Sequence, residues 1–325
     1  MFNAALYRLV GLFQSIFKHL DENKHNDLSI RDGTIAKGCV QSLKPDFFPS
    51  KRHVSRIVLM KHILALSALL LGTPLAALAQ DADKDEQASI DVGGTVLLRT
   101  PYVGSDQTET LLLPYLGIND FHGIDLLGPN LTADFIDIGT GAGLGKWSLR
   151  AGPRVSFDFG RDSDDSPTLE GLEDIDTSGV VGGFVRYSYS FLGVDLAAGQ
   201  DVLGGHDGFV AEASLGTKYT ADGWYIQPAV TLSWGDETYT QTVYGITPDQ
   251  ALSSVLGEFD VSSGFHQISG TLLGGFALTD NWNVTGLFSY REALGDYRDS
   301  PIILAEDGST SGIFTSISLS RRFNL

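Results

Sequence analysis

One cysteine, Cys39, stands in 325 residues, which leaves no disulfide framework and no thiolate metal site to consider. Basic residues are scarce as well, with 22 Lys and Arg against 40 Asp and Glu and a net charge of −18. A nucleic-acid partner needs a basic stripe to neutralise phosphate, so none is expected. Apolar residues make up 42% of the chain, yet no run of about 20 of them occurs that could cross a bilayer as a helix. From residue 80 onward there is also no Walker loop, dinucleotide fingerprint, zinc spacing or Gly-x-Ser-x-Gly elbow, so neither cofactor nor metal is expected.

What is present divides near residue 80. Residues 1–79 carry 10 basic and 5 acidic side chains, and residues 80–325 carry 12 and 35, a net of −23. After Met60 come Lys61-His62, an apolar run over 63–71, Gly72 and Pro74, then Ala77-Leu78-Ala79 before Gln80. A positive region, a short apolar region and small residues at a cleavage point are the parts of a secretory signal, so residues 60–79 are expected to be removed and the mature chain to begin at Gln80. Residues 1–59 then read as an extension outside the mature protein, with Met60 as the expected start.

Beyond Gln80 the apolar residues alternate. Trp224, Ile226, Pro228, Val230, Leu232 and Trp234 share one face, with Tyr225, Gln227, Ala229, Thr231 and Ser233 on the other. Ten steps of about 3.3 Å, tilted by about 40°, rise roughly 25 Å, the height of the lipid-facing band on an outer-membrane barrel. The pattern returns from Trp147, Phe209 and Trp282, through Val181, Val185, Tyr187, Tyr189 and Phe191, and through Ile313, Ile317, Leu319 and Phe323. A soluble sandwich alternates too, but its polar face is dense in charge. Here that face is mainly Ser, Thr, Gly, Gln and Asn, which suits a lumen.

Twelve runs read as strands, near 88–100, 109–118, 121–127, 131–138, 146–159, 179–191, 193–202, 208–220, 223–235, 265–278, 281–293 and 312–323. The expected fold is all-β: a closed antiparallel transmembrane β-barrel of about 12 strands (10–14), spanning residues 80–325. An even count puts both termini on the periplasmic side. The periplasmic turns are then short, at Asn119-Asp120, 139–145, Leu192-Gly193, 220–223 and 279–281, and the extracellular loops 161–177, 236–264 and 294–311 are long and acidic. The last strand carries Phe323 with outward parity, and Leu325 keeps it.

Five local sequences stand at or beyond the outer strand ends: Pro101-Tyr102-Val103-Gly104-Ser105-Asp106, Gly204-Gly205-His206-Asp207-Gly208, Trp234-Gly235-Asp236 with Tyr239, Tyr244-Gly245-Ile246-Thr247-Pro248-Asp249-Gln250-Ala251, and Gly295-Asp296 with Ser300-Pro301-Ile302. In this order they resemble the MltA-interacting protein/OmpV family of outer-membrane proteins, over residues 88–325. The resemblance implies a cell outer membrane location and a non-enzymatic envelope scaffold, with a murein hydrolase and a murein synthase as partners. Outer-membrane lipid surrounds the barrel and the expected state is a monomer. The alternative is a narrow passive channel for small polar or cationic solutes. The short periplasmic turns offer a soluble partner little surface beyond residues 80–87 and the lower rim.

Tyr102, His206, Asp236, Tyr244 and Asp296 are the candidates for a ligand site or loop plug at the mouth, the plug being residues 249–256 with a short helix after Pro248; the plainer reading makes them loop and strand-end caps. Inward parity places Arg150, Arg154, Asp158, Arg186, Asp195, Glu212, Lys218 and Arg291 in the lumen, where charges of both signs can pair and stitch it shut or leave a thin polar path. The acidic run at 161–165, continued by Glu170, Glu173, Asp174 and Asp176, lacks the spacing of a calcium loop and reads as a solvated loop. Ser105, His206, His266 and Ser300 show no spacing of a catalytic triad, so no enzyme is expected.

Overall fold

The computed structural model describes residues 88–325; the extension 1–59, the signal segment 60–79 and the tail 80–87 lie outside the described residues. Fourteen strands form one sheet: β1 (Ser89–Arg99), β2 (Glu109–Phe121), β3 (Ile124–Leu127), β4 (Asn130–Ala133), β5 (Ile136–Gly139), β6 (Trp147–Asp158), β7 (Ser178–Tyr189), β8 (Leu192–Asp201), β9 (Phe209–Thr217), β10 (Tyr219–Ala221), β11 (Trp224–Gly235), β12 (Gly264–Thr279), β13 (Trp282–Ala293) and β14 (Ser311–Asn324). All pairings are antiparallel. β4 and β5 both bond to β6, and β9 and β10 both bond to β11, so the fourteen pieces make twelve staves. Ser89 to Arg99 pair with Asn324 to Phe314 along the seam, which closes the barrel and leaves no free sheet edge there. Arg322 clasps the seam, with Nε and a terminal nitrogen donating to the two Asp91 oxygens at 3.0 and 3.1 Å.

Three prolines explain where the staves break. Proline has no N–H to give a ladder, so it must face a position without a partner. The β1 ladder runs through Pro114 unshifted, while on the other side β3 reaches only Ile118. Pro153 lies opposite the gap between β4 and β5, and Pro228 opposite the gap between β9 and β10.

The alternation holds: along β11, Trp224, Ile226, Pro228 and Val230 are exposed while Gln227, Ala229, Thr231 and Ser233 are buried. Val181, Val185, Tyr187, Tyr189 and Phe191 face outward in the same way. Trp147, Trp224 and Trp282 begin their strands at one end, where an interfacial aromatic belt belongs. That end has the short connections and both ends of the described segment, the start of β1 and the end of β14. Two of the turns sit beside the expected ones. The first falls at His122-Gly123, both at positive φ (56° and 76°) as a primed hairpin turn requires, and β2 runs on through Asn119 and Asp120. The other falls at Ser190-Phe191, because Leu192 and Gly193 pair with Tyr189 and Ser188. At the opposite end lie the long loops and one very short connection, Gly128-Pro129, at which the four-residue strands β3 and β4 turn back on each other.

Candidate functional site

Four loops meet over the long-loop end and pack as a lid. Tyr102, Leu169, Leu172, Ile246 and Ile302 form one buried cluster, and Tyr244, Val261, Ala293, Tyr297 and Ile303 a second beside it. Backbone bonds tie loop to loop, Asp106 N–H to the Asp307 carbonyl at 3.0 Å and Ser309 N–H to that of Gly104 at 2.7 Å. Ser166 and Thr168 donate to the Asp307 carboxylate; burial would raise its pKa, and these bonds outweigh that and hold it below the ordinary value.

The loop 236–263 supplies the part that enters the mouth. It contains α1 (Glu237–Tyr244) and α2 (Pro248–Ser253). Asp236 starts α1 by accepting the Tyr239 N–H at 2.8 Å, and Thr247 with Gln250 forms a capping box around Pro248. The helix after Pro248 is therefore where the sequence puts it. Yet Leu252 and Val255 are 88% and 85% exposed, and α1 fills the mouth in place of 249–256. Tyr239 inserts between β9, β11 and β12: a Cβ on Gly208 would stand 2.5 Å from the Tyr239 backbone nitrogen, and one on Gly235 would stand 2.3 Å from its ring.

Of the five mouth candidates, His206 and Tyr244 come together through a shared aromatic cluster. The His206 ring stands edge-on to Tyr239 at 4.8 Å, Tyr239 meets His266 at 4.9 Å, and the Tyr244 hydroxyl bonds His266 Nδ1 at 3.0 Å. Burial lowers the pKa of His206 and raises those of Tyr239, Tyr244 and Tyr297. Tyr102 lies in the lid, where burial raises its pKa and lowers that of neighbouring Arg161 to about 10. Asp236 is a helix cap, and Asp296 is exposed on the turn Gly295–Asp299 and does not join the others. The Ser300 hydroxyl donates to the Tyr244 carbonyl at 2.6 Å, and that of Ser105 accepts from Gln107 N–H at 3.1 Å, so each serine is occupied with backbone. In the acidic run, Asp162 and Asp165 cap a short turn and Asp174 accepts from Ser163 N–H.

Within the lumen, Arg150 and Arg186 stand directly opposite each other on β6 and β7. Like charges at facing positions repel, and the chain surrounds them with carboxylates. Arg186 bonds Asp195 at 3.1 Å, and Arg150 contacts Asp134 and, at 3.4 Å, Asp125. Arg154 bridges Glu212 at 3.1 Å and holds Asn130 Oδ1 at 2.7 Å. Lys218 lies over the Tyr225 ring at 5.4 Å, a cation–π contact. Arg291 donates to Thr100 near Asp158. Asp125 and Asp134 escaped the sequence reading because they sit in a four-residue strand and a gap between strands, where no period marks an inward face.

These side chains divide the lumen. An upper chamber of about 250 Å³ lies beneath α1, and a lower one of about 340 Å³ opens at the short-turn end, with no lining residue in common. Between them is a packed belt. Arg186 faces Asp195, Asp195 faces Ser214 and Ser214 faces Thr231 across successive ladders, and Leu97, Thr95 and Ser318 continue it on the far wall. All are buried, with Gln227 and Thr231 at 0% exposure. Hydroxyl pairs lock the belt: Ser214 with Thr231 at 2.8 Å, Thr271 with Ser289 at 2.9 Å and Ser318 with Thr95 at 2.8 Å.

Comparison with solved structures returns distant proteins, two of them described as channels. The CymD monoaromatic hydrocarbon channel is 12% identical, with 78% of this chain and 94% of that one covered and a TM-score of 0.32. OmpT of Vibrio cholerae is 9% identical, with 74% and 99% covered and a TM-score of 0.33. The COG4313 outer membrane channel from Pseudomonas putida F1 is 9% identical, with 74% and 100% covered and a TM-score of 0.34. Superpositions this loose say nothing of activity. No curated protein matches the chain. The family model of the MltA-interacting protein MipA matches residues 92–323, nearly every residue of the barrel just described, and the chain belongs to that family.

Proposed function

We propose that this is a non-enzymatic interaction protein of the outer membrane, an envelope scaffold whose barrel is closed to bulk flow. The belt between the chambers carries the reading. A passive channel needs a continuous water path, and at mid-height the inward side chains leave none accessible. The lid closes the mouth a second time.

The family name points to a murein hydrolase as a partner. Among the described residues, the surface facing such a partner is the short-turn rim. Four connections there have two residues each, and the fifth, residues 140–146, raises Leu144 at 88% exposure. Beside it a recess of about 430 Å³ runs past Phe191 and Lys218. The test has two arms. Reconstituted protein is expected to give no steady single-channel steps while retaining murein hydrolase and synthase from envelope extracts, and Leu144→Glu is expected to cut retention about tenfold. Steady, salt-dependent conductance without retention makes the protein a channel and overturns the scaffold.

A further inference from the structure

The upper chamber holds two opposite charges that no direct ion pair closes. Three of its arginines are tied elsewhere: Arg99 to Glu109 at 2.7 Å, Arg154 to Glu212 at 3.1 Å and Arg161 to the Val243 carbonyl at 3.2 Å. Arg291, reaching in from β13, and Asp158, from the end of β6, each find in the other their strongest opposite charge. Neither makes an ion pair among the described residues, although Arg291 donates to Thr100. Asp158, of inward parity at the upper end of β6, lines the chamber and is exposed to it.

Two opposite charges held apart in a confined chamber, neither closed by an ion pair, are poorly compensated. A singly charged solute satisfies one and leaves the other; a solute with a charge at each end satisfies both. The walls fit such an occupant. Tyr239 offers a ring to a cation, and the buried Nε2 of His266 has no hydrogen-bond partner. A volume of about 250 Å³ is at the small end of ligand sites and limits the occupant to the size of an amino acid.

We propose that the upper chamber is a binding site for a small zwitterion, with its carboxylate at Arg291 and its ammonium at Asp158. The site does not rest on the scaffold reading, since a closed barrel and a conducting one can both carry it.

Calorimetric titration of the folded barrel in detergent tests it with γ-aminobutyrate and its two halves, butyrate and n-butylamine. The zwitterion is expected to bind at least about tenfold tighter than either half. Asp158→Asn is expected to bring it down to the butyrate level while leaving butyrate unchanged, and Arg291→Gln to bring it down to the butylamine level. Folding of each variant is read from heat-modifiable gel mobility, and the wild-type probe series decides alone if Arg291→Gln does not fold. The site is overturned if γ-aminobutyrate binds no tighter than its halves, if its advantage survives both substitutions, or if no probe binds at about 10 mM.

Discussion

Arg186 and Asp195 are each about 1% exposed and lie 3.1 Å apart, with the second guanidinium, Arg150, directly across from Arg186 on β6. Removing one member of a buried ion pair strands the other, at a cost of about 3–5 kcal/mol, whereas replacing both with apolar groups of similar volume is often neutral. Asp195→Ala is therefore expected to lower the urea midpoint of refolding strongly, and the double variant Asp195→Leu with Arg186→Met to recover most of the loss. Equal losses in both would show that the pair does not act as a unit. His206 belongs to the same scale. Burial holds its pKa below the ordinary 6.5 against the pull of Asp201, Asp158, Asp236 and Asp207. The unfolded lid takes up a proton near 6.5 and the folded lid resists it, so this contribution to stability is complete above that pH and lost as the pH falls below it. Proteinase K nicking of loop 236–263 is expected to quicken between about pH 7 and pH 5, and His206→Gln to flatten that dependence.

At the scale of elements, α1 depends on a backbone approach that only glycine permits. Gly208→Ala puts a methyl 2.5 Å from the Tyr239 backbone nitrogen, which cannot move aside as a flexible side-chain tip can. The expected result is a barrel that keeps its heat-modifiable mobility while loop 236–263 becomes protease-sensitive; an unchanged cleavage rate would show that α1 is not seated there. What the sequence made legible follows from period. Strands such as β11 and β7 have one face in lipid and the other in the lumen, and an alternation of ten or more residues cannot be mistaken for a helix. The stretch from β3 to β5 was legible only as two weak runs, because four-residue strands show too few alternations. The mouth was legible as five loop motifs, but not the choice of α1 over 249–256 as its filling. That choice depends on where Tyr239 lands across the barrel, and local spacing holds no such information.

For the whole molecule, lid and belt are two closures in series, and they separate by deletion. Removing residues 237–263 uncovers the upper chamber and leaves untouched the belt of Leu97, Phe184, Arg186, Asp195, Gln227 and Thr231, all buried below it. The loop-deleted protein is expected to remain silent in planar bilayers. Thinning the belt in that background, with Phe184→Ala and Gln227→Ala, joins the two chambers into one polar path and is expected to give conductance steps that scale with salt. If the loop deletion alone conducts, the mid-height packing loosens once the lid is gone. The barrier is then the mouth, and the protein is a gated pore, not a closed scaffold.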